Sequence, residues 1–427
     1  MKNTKFQTLT GMHDILPEDQ RYFDKIYEVV SEIADFYDFE KIETPILEDV
    51  DLFNKGTGQS TDIVKKEMYS FRTKGGDFIA LRPEFTPSIA RAYIQHGMNN
   101  RPQPLKLWAF GPCFRYERPQ AGRYRQFWQF DFEIFGEKNP VVDAQIAQIS
   151  YNILKELKIK NLVIEVNSIG DNQCKPYYKK LLGNYLRNRN TSLCSDCRIR
   201  AKENVLRFLD CKEEKCQPVK AQAPQILDHL CDECKAHFKS FLEFLDETEI
   251  PYNLNPYLVR GLDYYTRTVF EIFSSEDEKE NIPKIALGGG GRYDNLVKFF
   301  GGKDTPACGV AVGVERIVEL MKKQDIKFSK KKEVEVFLTQ LGDLAKRKSL
   351  KLLEEFRKAN IKVSESFGRD SLKAQLSRAN KIEAKFTLIV GQKEALDGKV
   401  IIRDMKTGNQ YSVPLENAVK EVKKRLK

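Results

Sequence analysis

Arginines, aromatics and carboxylates alternate along residues 114–133. The run reads Phe114-Arg115-Tyr116-Glu117-Arg118, then Gly122-Arg123-Tyr124-Arg125-Gln126-Phe127, then Gln129-Phe130-Asp131-Phe132-Glu133. If the two flanks are strands, side chains alternate between faces. Arg115 and Glu117 then share one face, and Phe127, Gln129, Asp131 and Glu133 share another. A guanidinium fork suits a phosphate, an aromatic ring can stack on a purine, and carboxylates can hold an ammonium. The plain alternative is a hairpin held by cross-strand ion pairs. Phe and Trp interleaved with so many arginines favour the chemical reading.

Three further clusters stand out. Leu258-Val259-Arg260-Gly261-Leu262-Asp263-Tyr264-Tyr265 is either a strand entering a turn at Gly261 or one cation and two phenols converging on a polar ligand. Gly288-Gly289-Gly290-Gly291-Arg292-Tyr293-Asp294 gives up backbone stability, so something must approach its main chain closely. That could be a phosphate or a packed sheet. The run lacks P-loop spacing and the strand–turn–helix context of a dinucleotide fold. Gly309-Val310-Ala311-Val312-Gly313-Val314-Glu315-Arg316 is a small-residue strand that delivers Arg316 at a helix start. Taken alone, Arg316 reads as a solvated helix residue.

The elements that must position these groups follow from periodicity. Residues 21–37 place Phe23, Ile26, Val30 and Ile33 on one helical face. Residues 39–46 read as an extended segment at a sheet edge, because Pro45 cannot sit in a central strand. Residues 105–115 and 126–135 read as an antiparallel pair joined by a long basic loop with turn residues Pro119 and Gly122. Residues 171–250 read as a small helical insertion, carrying six of the nine cysteines between Cys194 and Cys234. Residues 257–272 and 284–291 read as further strands, and 314–322 as a helix. The lysine-dense stretch 326–332 reads as a linker. Residues 333–427 alternate strands and helices with a turn at Thr407-Gly408-Asn409, as in a mixed α/β domain. The expected class is α+β: residues 1–325 as an antiparallel-sheet domain, then 333–427 as the α/β domain.

Composition narrows the function. The chain has 427 residues, with 71 Lys and Arg against 61 Asp and Glu, a net charge of +10. The 27 Phe and 17 Tyr can fill a sizeable core, which excludes a disordered tail. No apolar run approaches the ~18 to 20 residues of a membrane helix, and the first ten residues lack a signal-peptide block. The expected compartment is the cytosol, with reduced thiols. The charge suits contact with a polyanion and also suits mere solubility. Only four histidines are present, so arginine-based phosphate chemistry is better supplied than a histidine triad.

The four clusters, in this order, resemble the class II aminoacyl-tRNA synthetases, and within them the histidyl-tRNA synthetase family. Residues 21–45 resemble class II motif 1, residues 115–133 motif 2 and residues 309–316 motif 3. Residues 260–265 and 288–294 resemble two motifs particular to the histidine enzymes. Gly11-Met12-His13-Asp14-Ile15-Leu16-Pro17 and Leu81-Arg82-Pro83-Glu84 also match. The resemblance implies a homodimeric histidine–tRNA ligase that uses ATP with Mg2+, and a C-terminal domain that binds the anticodon region. Arg369, Lys373 and Arg378 are candidate phosphate contacts there, the alternative being an ordinary solvated helix face.

The resemblance also implies roles. Arg115 would hold the α-phosphate of ATP and the histidine carboxylate, and Arg260 would stabilise charge at the α-phosphate. Glu117 would read the adenine edge and Phe127 would stack on it. Arg123 and Arg316 would hold the outer phosphates. Glu84, Phe85, Thr86, Gln129, Glu133, Tyr264 and Tyr265 would line the histidine pocket together with Arg115 and Arg260. The loop 118–122 resembles the bacterial form, which meets the acceptor end of tRNA. Phe85 and Asn295 depart from the family pattern without removing a charged contact. The alternative function is a non-catalytic regulatory subunit of histidine biosynthesis, which would usually lack the C-terminal domain and much of the 260–265 motif.

Cys194-x-x-Cys197, Cys211-x4-Cys216 and Cys231-x-x-Cys234-x-x-His237 have metal-ligand spacing. The alternative is buried free thiols. The expected structural zinc set is Cys194, Cys197, Cys231 and Cys234.

Overall fold

The polar and apolar residues of 129–135 are both buried, which places this segment in the middle of a covered sheet. The computed structural model describes residues 6–59, 61–274, 286–328, 334–368 and 371–426. They form two compact units, Met1–Ile326 and Lys327–Lys427.

The strands of the first unit are β1 (Glu40–Lys41), β2 (Leu47–Asp49), β3 (Ser70–Arg72), β4 (Phe78–Leu81), β5 (Leu105–Phe114), β6 (Gln126–Phe135), β7 (Leu162–Ser168), β8 (Tyr252–Leu254), β9 (Thr266–Ser274), β10 (Gly288–Arg292) and β11 (Ala307–Gly313). Eight of them make one sheet in the order β1-β5-β6-β11-β10-β9-β7-β8. Its pairs are antiparallel except β1 with β5 and β7 with β8. Strands β2, β4 and β3 make a small separate sheet.

On β6, Phe130, Phe132 and Ile134 face one way and meet Phe39 and Trp108. Gln129, Asp131 and Glu133 face the other way and are equally buried. Polar groups buried on a central strand need hydrogen-bond partners, from the protein or from a ligand.

The helices of this unit are α1 (Pro17–Phe36), α2 (Val50–Phe53), α3 (Thr86–Gln95), α4 (Val141–Glu156), α5 (Cys174–Arg187), α6 (Ser195–Glu203), α7 (Gln217–Ala221), α8 (Asp232–Glu247), α9 (Leu296–Phe299) and α10 (Val314–Lys323). Helix α1 begins with Pro17, Glu18 and Asp19, which suits the dipole of a helix start, and buries Phe23, Ile26 and Val30 as the spacing requires. Helices α5 to α8 form the insertion between β7 and β8.

Two strand expectations are corrected. Residues 257–265 are not strand; β9 begins only at Thr266. Alternation would send Tyr264 and Tyr265 to opposite faces, whereas a turn-rich segment lets both rings lie together, 4.7 Å apart. The extended segment 39–46 also splits. Only β1 pairs in the main sheet, because Arg82 draws the Thr44 carbonyl to itself at 2.7 Å. Strand β10 starts at Gly288, and residues 284 and 285 of the expected strand lie outside the described residues.

The second unit carries β12 (Val336–Gln340), β13 (Val363–Glu365), β14 (Phe386–Val390), β15 (Lys399–Asp404) and β16 (Gln410–Pro414), with α11 (Asp343–Lys358), α12 (Leu372–Lys381), α13 (Gln392–Leu396) and α14 (Ala418–Leu426). Its sheet order is β13-β12-β14-β15-β16, parallel at first and antiparallel at the end. Ser371 caps α12 by accepting the Ala374 N–H. Lys373 and Arg378 are exposed on that helix, and Arg369 lies outside the described residues. Among the described residues, no helix is long and apolar enough to cross a membrane.

Candidate active site

Three carboxylates are buried together on the polar face of the large sheet: Glu84, Asp131 and Glu133. Glu84 precedes α3 and accepts from the Thr57 hydroxyl at 2.5 Å and the Tyr264 hydroxyl at 2.7 Å. Glu133 accepts from the Thr86 hydroxyl at 2.5 Å and from the Tyr293 hydroxyl. Among the described residues, neither Asp131 oxygen has a hydrogen-bond partner, and the Gln129 carbonyl oxygen has none either. Burial pushes Glu133 up to about 8, against the bonds from Thr86 and Tyr293. Burial, then the charges of Glu133 and Glu84, hold Asp131 well above the usual carboxylate range. Burial also raises Glu84, with Thr57 and Tyr264 opposing. The pocket is therefore rich in acceptors and poor in cations. It suits a ligand that brings its own N–H groups and positive charge.

Small residues make this room. A Cβ on Gly309 would lie 1.6 Å from Glu133 Oε2, so only glycine on β11 lets that carboxylate stand against the sheet. Phe85 is buried with its ring 4.1 Å from the Arg82 guanidinium carbon. Arg82 spends its other donors on the carbonyls of Thr44 and Pro112 and thereby fixes the chain around Glu84.

The opposite end is cationic. Arg115 donates to the Pro83 carbonyl at 2.9 Å and lies 5.2 Å from the centre of the Phe127 ring. Glu117 sits between Arg115 at 4.0 Å and Arg123 at 3.3 Å. Arg316 donates to the carbonyls of Gly122 and Ala286. Burial, with Arg123 and Arg115 nearby, lowers Arg316 to about 10. Three guanidiniums with one carboxylate among them form a trap for a polyanion. Helix α10 sets this geometry. Glu315 accepts the Trp128 N–H at 2.9 Å, and Glu319 accepts from Gly122 N–H at 2.7 Å and from Tyr124 at 3.0 Å.

Arg260 stands between these two ends. It pairs with Glu271 on β9, and its guanidinium carbon lies 5.6 Å from the centre of the Tyr265 ring. Its Nε has no hydrogen-bond partner among the described residues. A Cβ on Gly289 would lie 2.4 Å from its Nη1, while a Cβ on Gly290 or Gly291 would lie 2.1 or 2.3 Å from the Gly309 or Thr268 carbonyl oxygen, so the glycine run is approached by a guanidinium and by the backbone of the flanking strands. Arg292, at the end of that run, is wholly internal. It binds Asp143 at 2.6 and 3.1 Å, Asp294 at 3.1 Å and the Glu137 carbonyl at 3.0 Å.

The expected zinc set is not assembled. Cys194 and Cys197 cluster with Cys211 and Cys216, while Cys231 and Cys234 cluster with Asp171 and Cys174. The two Cys-x-x-Cys turns open different helices, α6 and α8, and each gathers its own neighbours. His237 is spent on Asp143 at 2.7 Å and joins neither cluster.

Sequence reasoning missed Thr57, Asp131, Glu271 and Tyr293 as parts of the site. Strand periodicity places Asp131 on the face of Gln129 and Glu133, but no pocket role is expected for it from the sequence. Thr57 lies in an irregular segment with no motif, and Glu271 is visible only through the register of β9 with β10. A cavity of about 970 Å3 shares Tyr264 and Tyr265 with the carboxylate pocket and is also lined by Lys55, Gln59, Lys175 and Asn295.

A family model described as histidyl-tRNA synthetase matches residues 11–317, and one described as an anticodon binding domain matches residues 335–425. The chain belongs to the histidyl-tRNA synthetase family. It is thereby an ATP-dependent class II aminoacyl-tRNA synthetase, a ligase. The histidine–tRNA ligase of Dehalococcoides mccartyi is 42% identical over 421 residues, covering 99% of this chain and 100% of that one. That of Caldicellulosiruptor saccharolyticus is 41% identical over 423 residues, with 99% and 100% covered. The crystal structure of apo S. aureus histidyl-tRNA synthetase superposes with a TM-score of 0.81 at 33% identity, covering 98% of this chain and 100% of that chain. Full-length relatives of this kind leave the regulatory-subunit alternative the less supported one.

Proposed function

We propose that the acidic and cationic ends of this cleft hold the two small substrates of histidine–tRNA ligation, histidine and ATP. The observation that carries the reading is the trio Glu84, Asp131 and Glu133, buried beside an arginine cluster, with Glu84 and Glu133 held by hydroxyls and Asp131 without a hydrogen-bond partner among the described residues. Histidine supplies an α-ammonium and imidazole N–H to this end. Glu84, Thr86, Gln129, Glu133, Tyr264 and Tyr265 receive them, with Phe85 packed behind.

ATP enters as its Mg2+ complex. Phe127 stacks on the adenine and Glu117 reads its edge. Arg123 and Arg316 hold the β- and γ-phosphates, and Arg115 holds the α-phosphate against the histidine carboxylate. A carboxylate oxygen attacks the α-phosphorus, the bond to the β-phosphate oxygen breaks, and pyrophosphate leaves with that electron pair. Arg260 faces the charge that builds at the α-phosphate. The terminal ribose hydroxyl of tRNA then attacks the histidyl carbonyl, AMP leaves, and the hydroxyl proton passes to solvent. No protein nucleophile is needed; catalysis is alignment plus charge stabilisation.

The second unit is read as the tRNA anticodon module, with Lys373 and Arg378 as phosphate contacts. Pairing of two chains through α1 and the edge strand β1 is supported by Phe36, 80% exposed, and by exposed Ile46 and Leu47. The working compartment is read as the cytosol, where the nine thiols stay free. A zinc in the insertion is read as structural and outside the reaction. Histidine-dependent exchange of pyrophosphate into ATP, followed by charging of tRNA, tests the reading. No exchange with any amino acid would sink it, and charging with another amino acid would sink the choice of histidine.

A further inference from the structure

The insertion has an apolar core built from α5, residues 205–209 and α8, but two of its turns carry cysteine instead. Helix α6 is nine residues long, polar on every side, and buries only Cys197; its Ile199 is 55% exposed. A helix that short with one buried residue has too little apolar contact to stay folded by burial. Beyond the buried Val205, Leu206, Phe208 and Leu209, the stretch Cys211-Lys212-Glu213-Glu214-Lys215-Cys216 is equally poor in apolar residues. Some other anchor must hold these turns.

Two clusters of donors occupy the places where anchors are needed. The sulfurs of Cys194, Cys197, Cys211 and Cys216 all lie within 4.8 Å of one another, and so do the donor atoms of Asp171, Cys174, Cys231 and Cys234. None of these thiols is in a disulfide. A tetrahedral ion with metal–sulfur bonds of about 2.3 Å sets its sulfurs a little under 4 Å apart, which this spread accommodates. Backbone N–H groups already point at the sulfurs: Cys197 to Cys194 at 3.4 Å, Cys194 to Cys216 at 3.3 Å, and Cys231 to Cys174 at 3.0 Å. Such bonds favour thiolate over thiol. Asp171 is oriented by the N–H groups of Gln173 and Cys174 at 2.9 and 3.3 Å and by Arg267 at 3.5 Å. Ligands held by outer partners in this way are preset for a metal. Buried thiols used merely as small apolar residues would need none of these contacts.

We propose that the insertion holds two structural zinc ions, one on Cys194, Cys197, Cys211 and Cys216, the other on Asp171, Cys174, Cys231 and Cys234. The first closes a loop whose residues reach the cleft. Asn204 donates to Asp263 at 2.9 Å, Arg207 to Asp62 at 3.3 Å, and Glu203 pairs with Lys65. The second fixes Cys174, whose neighbour Lys175 donates to the Tyr265 carbonyl at 2.9 Å. Both ions thus secure the 260–265 segment from outside, without touching substrate. This role rests on the histidine-pocket reading; the two sites themselves do not.

Metal analysis of the purified full-length chain decides the matter. Two equivalents of zinc per chain are expected. One equivalent or less, or iron in place of zinc, overturns the proposal. The double variant Cys211→Ser, Cys216→Ser should lose one equivalent, and Cys174→Ser, Cys231→Ser should lose the other. Loss of both ions from a folded single-site variant overturns their independence. If either variant fails to fold, titration of the wild-type chain with a mercurial thiol reagent serves instead, with a zinc indicator reading release. Release of two zinc ions as seven thiols react is expected, and release of fewer overturns it. Metal is counted without reference to activity. A chain that charges histidine without zinc refutes these sites alone, while two zinc ions without pyrophosphate exchange refute the proposed reaction alone.

Discussion

The two ends of the cleft are electrical opposites, and each is incomplete in the opposite sense. Around Glu133 three carboxylates share a buried space; Glu84 and Glu133 receive hydroxyl protons, and Asp131 receives none among the described residues. Around Arg316 three guanidiniums share a neighbourhood with Glu117 and main-chain carbonyls. The acidic end answers its missing charge by taking up protons: burial holds Glu133 near 8 and Asp131 well above its usual range. The basic end has no such exit, since a guanidinium keeps its proton, and it uses carbonyls instead. The difference teaches that the acidic end can be tuned by pH and the basic end only by ligand. A second contrast sharpens this. Arg292 is buried among Asp143, Asp294 and two carbonyls, whereas Arg260 keeps a free Nε. A saturated arginine is structure; an unsaturated one is available for work.

The largest effect should come from the group between the two ends. Arg260→Ala should slow histidine-dependent pyrophosphate exchange by about 10³-fold at saturating substrates, with the fold retained by circular dichroism. Normal exchange in that variant would refute the role. The next effects should divide between the ends. Glu84→Gln should raise KM for histidine by about 10²-fold, because a charged acceptor is lost, and leave KM for ATP near wild type. Arg123→Ala should do the converse, raising KM for ATP by about tenfold. If either variant moved both constants equally, the two-ended description would fail.

The smallest effect is on stability. Glu133 moves from an ordinary 4.5 to about 8 on folding, so the folded chain binds the extra proton. Stability of the ligand-free protein should therefore fall as pH rises from about 4.5 to about 8. Glu133→Gln should flatten that slope in thermal melts. An unchanged slope would place the buried proton elsewhere, with Asp131 the next candidate. Saturating histidine should also reduce the wild-type slope, since the ligand supplies what the proton replaced.

Much of this site was legible beforehand because its chemistry is local. Arg115, Glu117, Arg123 and Phe127 lie within thirteen residues, and a hairpin brings such neighbours together whatever else the chain does. Strand alternation likewise placed Gln129 and Glu133 on one face. Less legible were contacts made by residues far apart. The 260–265 segment read as strand because its apolar and aromatic content suits one; its turn is stabilised by Thr57, Glu84 and Lys175, none of which is near in sequence. The zinc set was mispaired for a similar reason. Spacing identifies a Cys-x-x-Cys turn, but which second pair it meets depends on how the helices pack.

By itself the sequence determined the family, the class of reaction and the grouping of Arg115, Glu117, Arg123 and Phe127, since these rest on short-range motifs and on periodicity. Tertiary structure decided which charges go unpaired. It buried Asp131 beside Glu84 and Glu133, set Arg260 against Gly289, saturated Arg292, and sorted the cysteines into two groups. Charge becomes costly only when water is removed, and removal of water is a property of packing rather than of composition.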